Sequence, residues 1–98
     1  MLDAANEALE FVRGKRRSDL DTDRKLVLSL IKELQIMGEA AGKVSAEIRT
    51  QSSAIPWQDI SGMRNRLIHA YFDIDLDVVW TTVTRDLPSL KTDLEKIL

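Results

Sequence analysis

Ser61-Gly-Met-Arg-Asn-Arg-Leu-Ile-His-Ala-Tyr71 is the most informative stretch of this sequence. It contains the single histidine of 98 residues, five positions after Arg64. Pro56 precedes it and suits the first turn of a helix, since proline fixes φ and lacks an N–H. The apolar residues that follow recur every three or four positions, which predicts one amphipathic helix continuing through Ala70. They are Trp57, Ile60, Met63, Leu67 and Ala70.

Two polar residues fall on the other side of this predicted helix. At about 100° per residue, Asn65 and His69 point away from the apolar face, and Arg64 lies between the two faces. Asn65 and His69 are four positions apart, so the amide is expected to hydrogen-bond the imidazole and set its tautomer. His69 is therefore either an idle surface residue or part of a site completed by something docked on this face.

The amino-acid composition limits the classes of protein to which this chain can belong. Ninety-eight residues with 44% hydrophobic content predict a single domain over residues 1–98 with one core. Absence of cysteine excludes a disulfide framework and suits a reducing compartment. We find neither a leader-like start nor an apolar run long enough for a membrane, so a cytoplasmic location is expected. A net charge of −2 is not that of a general nucleic-acid coat protein.

The first half of the chain reads as two helices. A short helix over residues 2–12 is expected to stop near Gly14, and the cations Lys15-Arg16-Arg17 follow in a loop. A long helix is predicted to run to about Val44, with Asp19, Asp21 and Thr22 at its entrance. Its small segment Gly38-Glu39-Ala40-Ala41 predicts close approach of another helix.

The second half continues the helical pattern after the motif. Residues 72–75 alternate like a strand but are too few to build a sheet, so we interpret them as an extended linker. Asp75 or Asp77 is expected to cap a helix over residues 78–85. Asp86-Leu87-Pro88 predicts a break, after which Pro88 begins a last helix. The fold class predicted is an all-α up-and-down bundle of four to five helices.

Arg64, His69 and Tyr71 together resemble the Arg-x4-His-x-Tyr signature of HepT-type toxins, which belong to the HEPN superfamily of small helical ribonucleases. Three flanking segments strengthen the resemblance: Gly38-Glu39-Ala40-Ala41, Ile55-Pro56-Trp57 and Tyr71-Phe72-Asp73-Ile74-Asp75. They fall in the family's order and spacing, so the resemblance covers nearly the whole chain. HepT-type sequences extend further upstream of the match to Leu2-Asp3-Ala4-Ala5, so the first helix is expected to be shortened.

The resemblance implies an endoribonuclease with an RNA substrate, and the residue types fit that chemistry. Cleavage without a metal needs a base for the 2′-hydroxyl, an acid for the leaving oxygen and positive charge on the phosphate. His69 is the candidate acid/base group and Arg64 the candidate phosphate clamp. Asn65 would orient the imidazole or a substrate oxygen. Arg66 is either a supporting phosphate contact or an ordinary surface charge.

Three further expectations concern the surroundings of the motif. Glu39 is either an ion-pair partner for the Arg64 region or a solvated side chain. A homodimer with its Arg64/His69 faces opposed would bring two copies of the site into one cleft. By resemblance, Tyr71 would be the residue to which a nucleotidyltransferase antitoxin attaches AMP, although a half-buried aromatic that closes the bundle is the alternative.

No cofactor or metal is predicted. One histidine, no cysteine and scattered carboxylates form no metal-ligand pattern. Two rival interpretations remain open beside the toxin ribonuclease. One is a HEPN-like module that binds a partner or nucleotide and cleaves nothing, and the other is a purely structural dimerising bundle.

Overall fold

A computed structural model describes residues 1–70 and 73–97, and gives only the backbone for residue 64 and residues 67–70. The predicted all-α class is confirmed, since helices account for nearly all of the regular structure. The helices are α1 (Leu2–Phe11), α2 (Asp19–Thr22), α3 (Arg24–Gly42), α4 (Ala46–Gln51), α5 (Trp57–Ser61), α6 (Met63–Leu67), α7 (Leu76–Thr81) and α8 (Leu87–Lys96). Two short strands, β1 (Ile68–Ala70) and β2 (Asp73–Ile74), lie between α6 and α7.

Helix α3 is the centre of the bundle, and its apolar stripe forms the middle of the core. Leu30, Leu34 and Met37 are almost completely buried there. The helix begins later than the predicted entrance: Asp23 is the N-cap, and its carboxylate accepts a hydrogen bond from the backbone N–H of Leu26 at 3.0 Å. Asp19 and Thr22 instead lie in the separate short helix α2.

Helix α1 packs along α3 through small residues. Ala4, Ala5 and Ala8 are buried, which lets the two helix backbones approach closely. The predicted stop at Gly14 is confirmed, because this glycine adopts a φ of 73°, a left-handed conformation in which other residues are strained.

The motif segment does not form the single helix predicted from its periodicity. Helices α5 and α6 are separated at Gly62, and α6 ends at Leu67 rather than continuing through Ala70. Ile68 pairs with Ile74 and Ala70 with Asp73 in an antiparallel, irregular ladder. Cross-strand pairing therefore replaces the last helical turn, and the linker predicted over residues 72–75 is corrected to a strand at Asp73–Ile74.

The C-terminal helices are joined where the sequence predicted a break. A π-helical segment, Thr82–Asp86, connects α7 directly to α8, and Asp86 and Leu87 keep helical backbone angles. Proline removes one hydrogen bond and crowds the carbonyl four residues earlier, and a widened turn before Pro88 accommodates both effects without ending the helix. Asp75 caps α7 by accepting from the N–H of Val78, as predicted.

Within the residues that the structure describes, no helix has the length and apolar character needed to cross a membrane.

Candidate functional site

The two principal site residues lie on different kinds of backbone. Arg64 is in α6, whereas His69 is in the middle of β1. The expectation that Asn65 and His69 are neighbours on one helical face is therefore wrong, since the chain becomes extended between them. An extended chain advances about 3.3 Å per residue instead of 1.5 Å, so His69 stands further from α6 than a helix would place it.

The predicted polarity of the motif helices is confirmed where side chains are described. Trp57, Ile60 and Met63 are buried, while Asn65 and Arg66 are exposed. The indole N–H of Trp57 donates to the carbonyl of Ser52 at 3.1 Å, which fixes the start of α5. The core thus holds one side of α5 and α6 and presents the other side outward. Tyr71 falls outside the described residues.

Glu39 lies beside the beginning of the motif segment. It is exposed and lines a shallow cavity of about 210 Å³ together with Gln35, Gly38 and Ser61. The cavity lies where α3 and α5 pack closely at Gly38. A Cβ built on this glycine would stand 3.0 Å from the carbonyl oxygen of Ile60. The predicted close approach at this glycine is confirmed. Gln35 and Ser61 had no distinguishing signal in the sequence.

Arg66 opens onto a different surface. A groove of about 340 Å³ runs between α5/α6 and the π-helical segment, and Arg66 and Arg85 lie along it with Asp59 and Asp93. The floor is apolar, with Ile60, Met63, Leu87 and Leu90. Arg85 comes to this groove from the π-helical segment, which the sequence had not revealed.

One cation of the Lys15-Arg16-Arg17 loop is already engaged. The Arg17 guanidinium donates to Asp77 at 2.7 Å and to Asp21 at 3.1 Å. These hydrogen bonds, to Asp77 first and Asp21 second, raise the pKa of Arg17 further above its ordinary value. Arg17 therefore joins α2 to α7, and only Lys15 and Arg16 remain exposed in this loop.

Glu33 is an acid buried away from the motif. Its residue is 7% exposed, and its Oε2 atom has no hydrogen-bond partner among the described residues. Burial, followed by the nearby charge of Glu7, raises the pKa of Glu33. An ionised carboxylate without a partner is costly in such a place. In the described part of the chain, no three side chains of the His, Cys, Asp and Glu types group as metal ligands.

Comparison with known proteins gives one consistent result. A family model described as "Ribonuclease HepT-like" matches residues 1–97. The chain is 40% identical to "Probable ribonuclease HepT" of Thermococcus cleftensis over 88 residues, which is 90% of this chain and 80% of the relative.

Two further relatives carry related names. Identity is 34% to "Putative RNase TTE0752" of Caldanaerobacter subterraneus, over 92% of this chain and 80% of the relative. It is 32% to "Putative RNase MJ1380" of Methanocaldococcus jannaschii, over 97% and 87% respectively. No solved structure matches the chain.

Proposed function

Because this chain belongs to the HepT-like ribonuclease family, we propose that it is a toxin endoribonuclease that cleaves RNA without a metal ion. The observation that carries the proposal is the family match over residues 1–97, within which the chain keeps Arg64 and His69 at the Arg-x4-His spacing. The proposed site is Arg64 and His69, supported by Asn65, Arg66 and Glu39.

The proposed reaction is an internal transfer at phosphorus. The 2′-hydroxyl oxygen of one nucleotide attacks the adjacent phosphorus while the bond to the 5′-oxygen breaks, which leaves a 2′,3′-cyclic phosphate and a 5′-hydroxyl. His69 takes the 2′-hydroxyl proton or protonates the leaving oxygen, because an imidazole with a pKa of about 6.5 exchanges protons near neutral pH. Arg64 binds the phosphate oxygens through its planar guanidinium and stabilises the charge that develops on them.

The supporting residues have positions that suit their proposed roles. Asn65 is exposed on α6, one residue after Arg64, where its amide can orient a substrate oxygen. Arg66 is exposed and lines the 340 Å³ groove together with Arg85 and three aspartates, and it would contact a phosphate further along the RNA. Glu39 lies against Ser61 at the start of the motif segment, where it would hold the Arg64 guanidinium.

Two copies would complete the site. A homodimer with the motif faces opposed supplies two histidines and two arginines to one cleft, so one imidazole can act as base while the other acts as acid. Each protomer has one histidine, and this pairing supplies both proton-transfer groups.

The proposed control of the toxin is a covalent modification of Tyr71. A nucleotidyltransferase antitoxin would catalyse attack of the Tyr71 hydroxyl oxygen on the α-phosphorus of ATP, with pyrophosphate as the leaving group. The new phosphodiester would bring negative charge and bulk beside Arg64, and would therefore neutralise the phosphate clamp.

Expression of the chain alone tests the proposal in cells. Growth should slow with the natural chain, while His69→Ala and Arg64→Ala should each restore growth and leave the circular dichroism spectrum unchanged. Growth that is equally normal with all three chains would favour a HEPN-like binding module that cleaves nothing.

Mass spectrometry tests the modification. Co-expression with a nucleotidyltransferase antitoxin of a HepT-type system should increase the mass of the chain by adenylate units, and Tyr71→Phe should prevent the increase. An unchanged gain in the Tyr71→Phe chain would place the modification on another residue.

A further inference from the structure

The outer side of α3 carries a stripe of side chains that the protomer does not cover. Leu28 is 48% exposed and Ile36 is 38% exposed, which is unusual for large apolar residues on the central helix of a bundle. At about 100° per residue, they share an arc of about 80° with three exposed charged residues. These are Lys25, Lys32 and Glu39.

This α3 stripe is symmetric about Lys32. Leu28 and Ile36 each lie four residues from it, and Lys25 and Glu39 each lie seven residues from it. When a helix faces its own copy in antiparallel orientation about Lys32, Leu28 therefore meets Ile36 of the copy and Lys25 meets Glu39 of the copy. Each contact occurs twice, which is the self-complementarity that a two-fold interface requires.

The buried acid Glu33 has an open place beside this stripe. It lines a concavity of about 320 Å³ with Phe11, Leu28 and Lys32, and its Oε2 atom has no partner in the described part of the chain. In the antiparallel arrangement, Lys32 of the copy would lie opposite Lys32, which lines this concavity, and its ammonium group could then donate to the Glu33 carboxylate. The ion pairs found among the described residues lie elsewhere, so Lys25 and Lys32 can pair across an interface, and the Glu39 carboxylate has one oxygen for Arg64 of its own chain and one for a lysine of the copy.

The elements that pack on the two flanks of α3 determine which parts of the two protomers lie on the same side of such a dimer. Helices α5 and α6 pack along one flank, where Gly38 touches the Ile60 carbonyl, and α1 packs along α3 as well. A two-fold axis that makes α3 face its antiparallel copy runs perpendicular to both helices and passes between them. It therefore leaves whatever lies on one flank of α3 on the same side of the dimer in both protomers.

We propose that the α3 stripe is the homodimer interface, centred on Lys32, and that it sets both motif segments on one side of a shared groove. This proposal rests on the proposed function, because it specifies the interface of the dimer that the cleft requires. Leu28 and Ile36 supply the apolar contacts, while the Lys25–Glu39 and Lys32–Glu33 pairs fix the register.

Charge reversal across the interface tests the register. Lys25→Glu gives a chain with acids at both positions 25 and 39, and Glu39→Lys gives a chain with bases at both. Each should dimerise about tenfold or more weakly than the natural chain in sedimentation equilibrium at low salt. Mixing the two variants should restore dimers that contain one chain of each kind. Lys15→Glu, which makes the same change of charge in an exposed loop, should dimerise as the natural chain does.

A disulfide cross-link tests whether the interface is centred on residue 32. The chain has no cysteine, so Lys32→Cys introduces the only thiol, and residue 32 meets its own copy at the proposed axis. Mild oxidation should convert this variant to a covalent dimer. Lys43→Cys lies eleven residues further along the same helix and should remain uncoupled.

The outcomes separate this proposal from the proposed cleavage. A natural chain that stays monomeric, or a dimer that is neither weakened by Lys25→Glu nor cross-linked at Lys32→Cys, overturns the α3 interface. In the second case, cleavage by that dimer would leave the proposed ribonuclease activity standing. A dimer that behaves as expected but never cleaves RNA overturns the proposed function and leaves the interface intact.

Discussion

Gly38 and Gly42 lie in the same helix but in very different surroundings. Replacing each by alanine should therefore change the free energy of unfolding differently. A Cβ at Gly38 would stand 3.0 Å from the Ile60 carbonyl oxygen and 3.5 Å from that of Ser61. Both neighbours are backbone atoms, so α5 would have to move away from α3. At Gly42, a Cβ would meet nothing within 4 Å.

The size of the difference follows from two effects. Alanine favours a helix interior over glycine by about 0.8–1 kcal/mol, and somewhat less at the helix end where Gly42 lies. Overpacking at a rigid contact costs about 1–3 kcal/mol. Gly42→Ala should therefore stabilise the chain by up to about 1 kcal/mol. Gly38→Ala should be neutral or destabilising by up to about 2 kcal/mol.

Urea unfolding of the two variants measures this gap, which should be about 1–3 kcal/mol between them. The same shift of α5 should disturb the motif segment, so Gly38→Ala is also expected to lower RNA cleavage while Gly42→Ala is not. Equal stabilisation by both substitutions would show that α3 and α5 do not touch at Gly38, and would remove the basis for placing Glu39 beside the motif.

Two other predictions concern single interactions. Asp23→Ala should lower the free energy of unfolding by about 0.5–2 kcal/mol, because the N–H of Leu26 loses its N-cap acceptor. The control variant Thr22→Ala should change the free energy of unfolding little. Equal effects of the two substitutions would mean that α3 is not capped at Asp23. The raised pKa of Glu33 makes its ionised form a cost to folding, which is absent below the ordinary pKa of a glutamate, grows as the pH rises from there to the raised pKa, and is complete above it. Glu7→Gln should therefore stabilise the chain at neutral pH by less than about 0.5 kcal/mol and have no such effect near about pH 3; a gain of equal size at both pH values would contradict the assignment.

The helical core could be predicted from the sequence because burial follows the spacing of apolar residues. Trp57, Ile60 and Met63 were placed on the core side by their spacing alone, and the structure buries all three. Gly14 and Gly38 were likewise predictable, because glycine is favoured at a left-handed helix end and small residues are favoured where another helix approaches closely.

Two of the wrong boundaries depended on strand pairing and on a helical distortion, which the spacing of apolar residues does not reveal. Local periodicity carried the motif helix through Ala70, but pairing of Ile68 with Ile74 turned residues 68–70 into a strand. Pro88 indicated a break, yet the helix continues because a π-helical turn provides the room that the proline needs. The alternation of residues 72–75 was too short to predict that pairing, and the sequence gives no separate signal for the π-helical turn. Arg85, which lies in that π-helical segment and lines the groove of Arg66, was not predicted there either.

The candidate site was identified by the kinds of residue present and by their resemblance to a family, rather than by their geometry. The family is established, and the exposure of Asn65, Arg66 and Glu39 agrees with their proposed roles. The roles of Arg64, His69 and Tyr71 remain predictions.

Cleavage of a labelled RNA by the purified chain in the presence of a metal chelator tests the central claim most directly. We predict products that end in a 2′,3′-cyclic phosphate, and their loss in a folded His69→Ala variant. Intact RNA in chelator with cleavage restored by added Mg²⁺, or undiminished cleavage by the His69→Ala chain, would contradict the account.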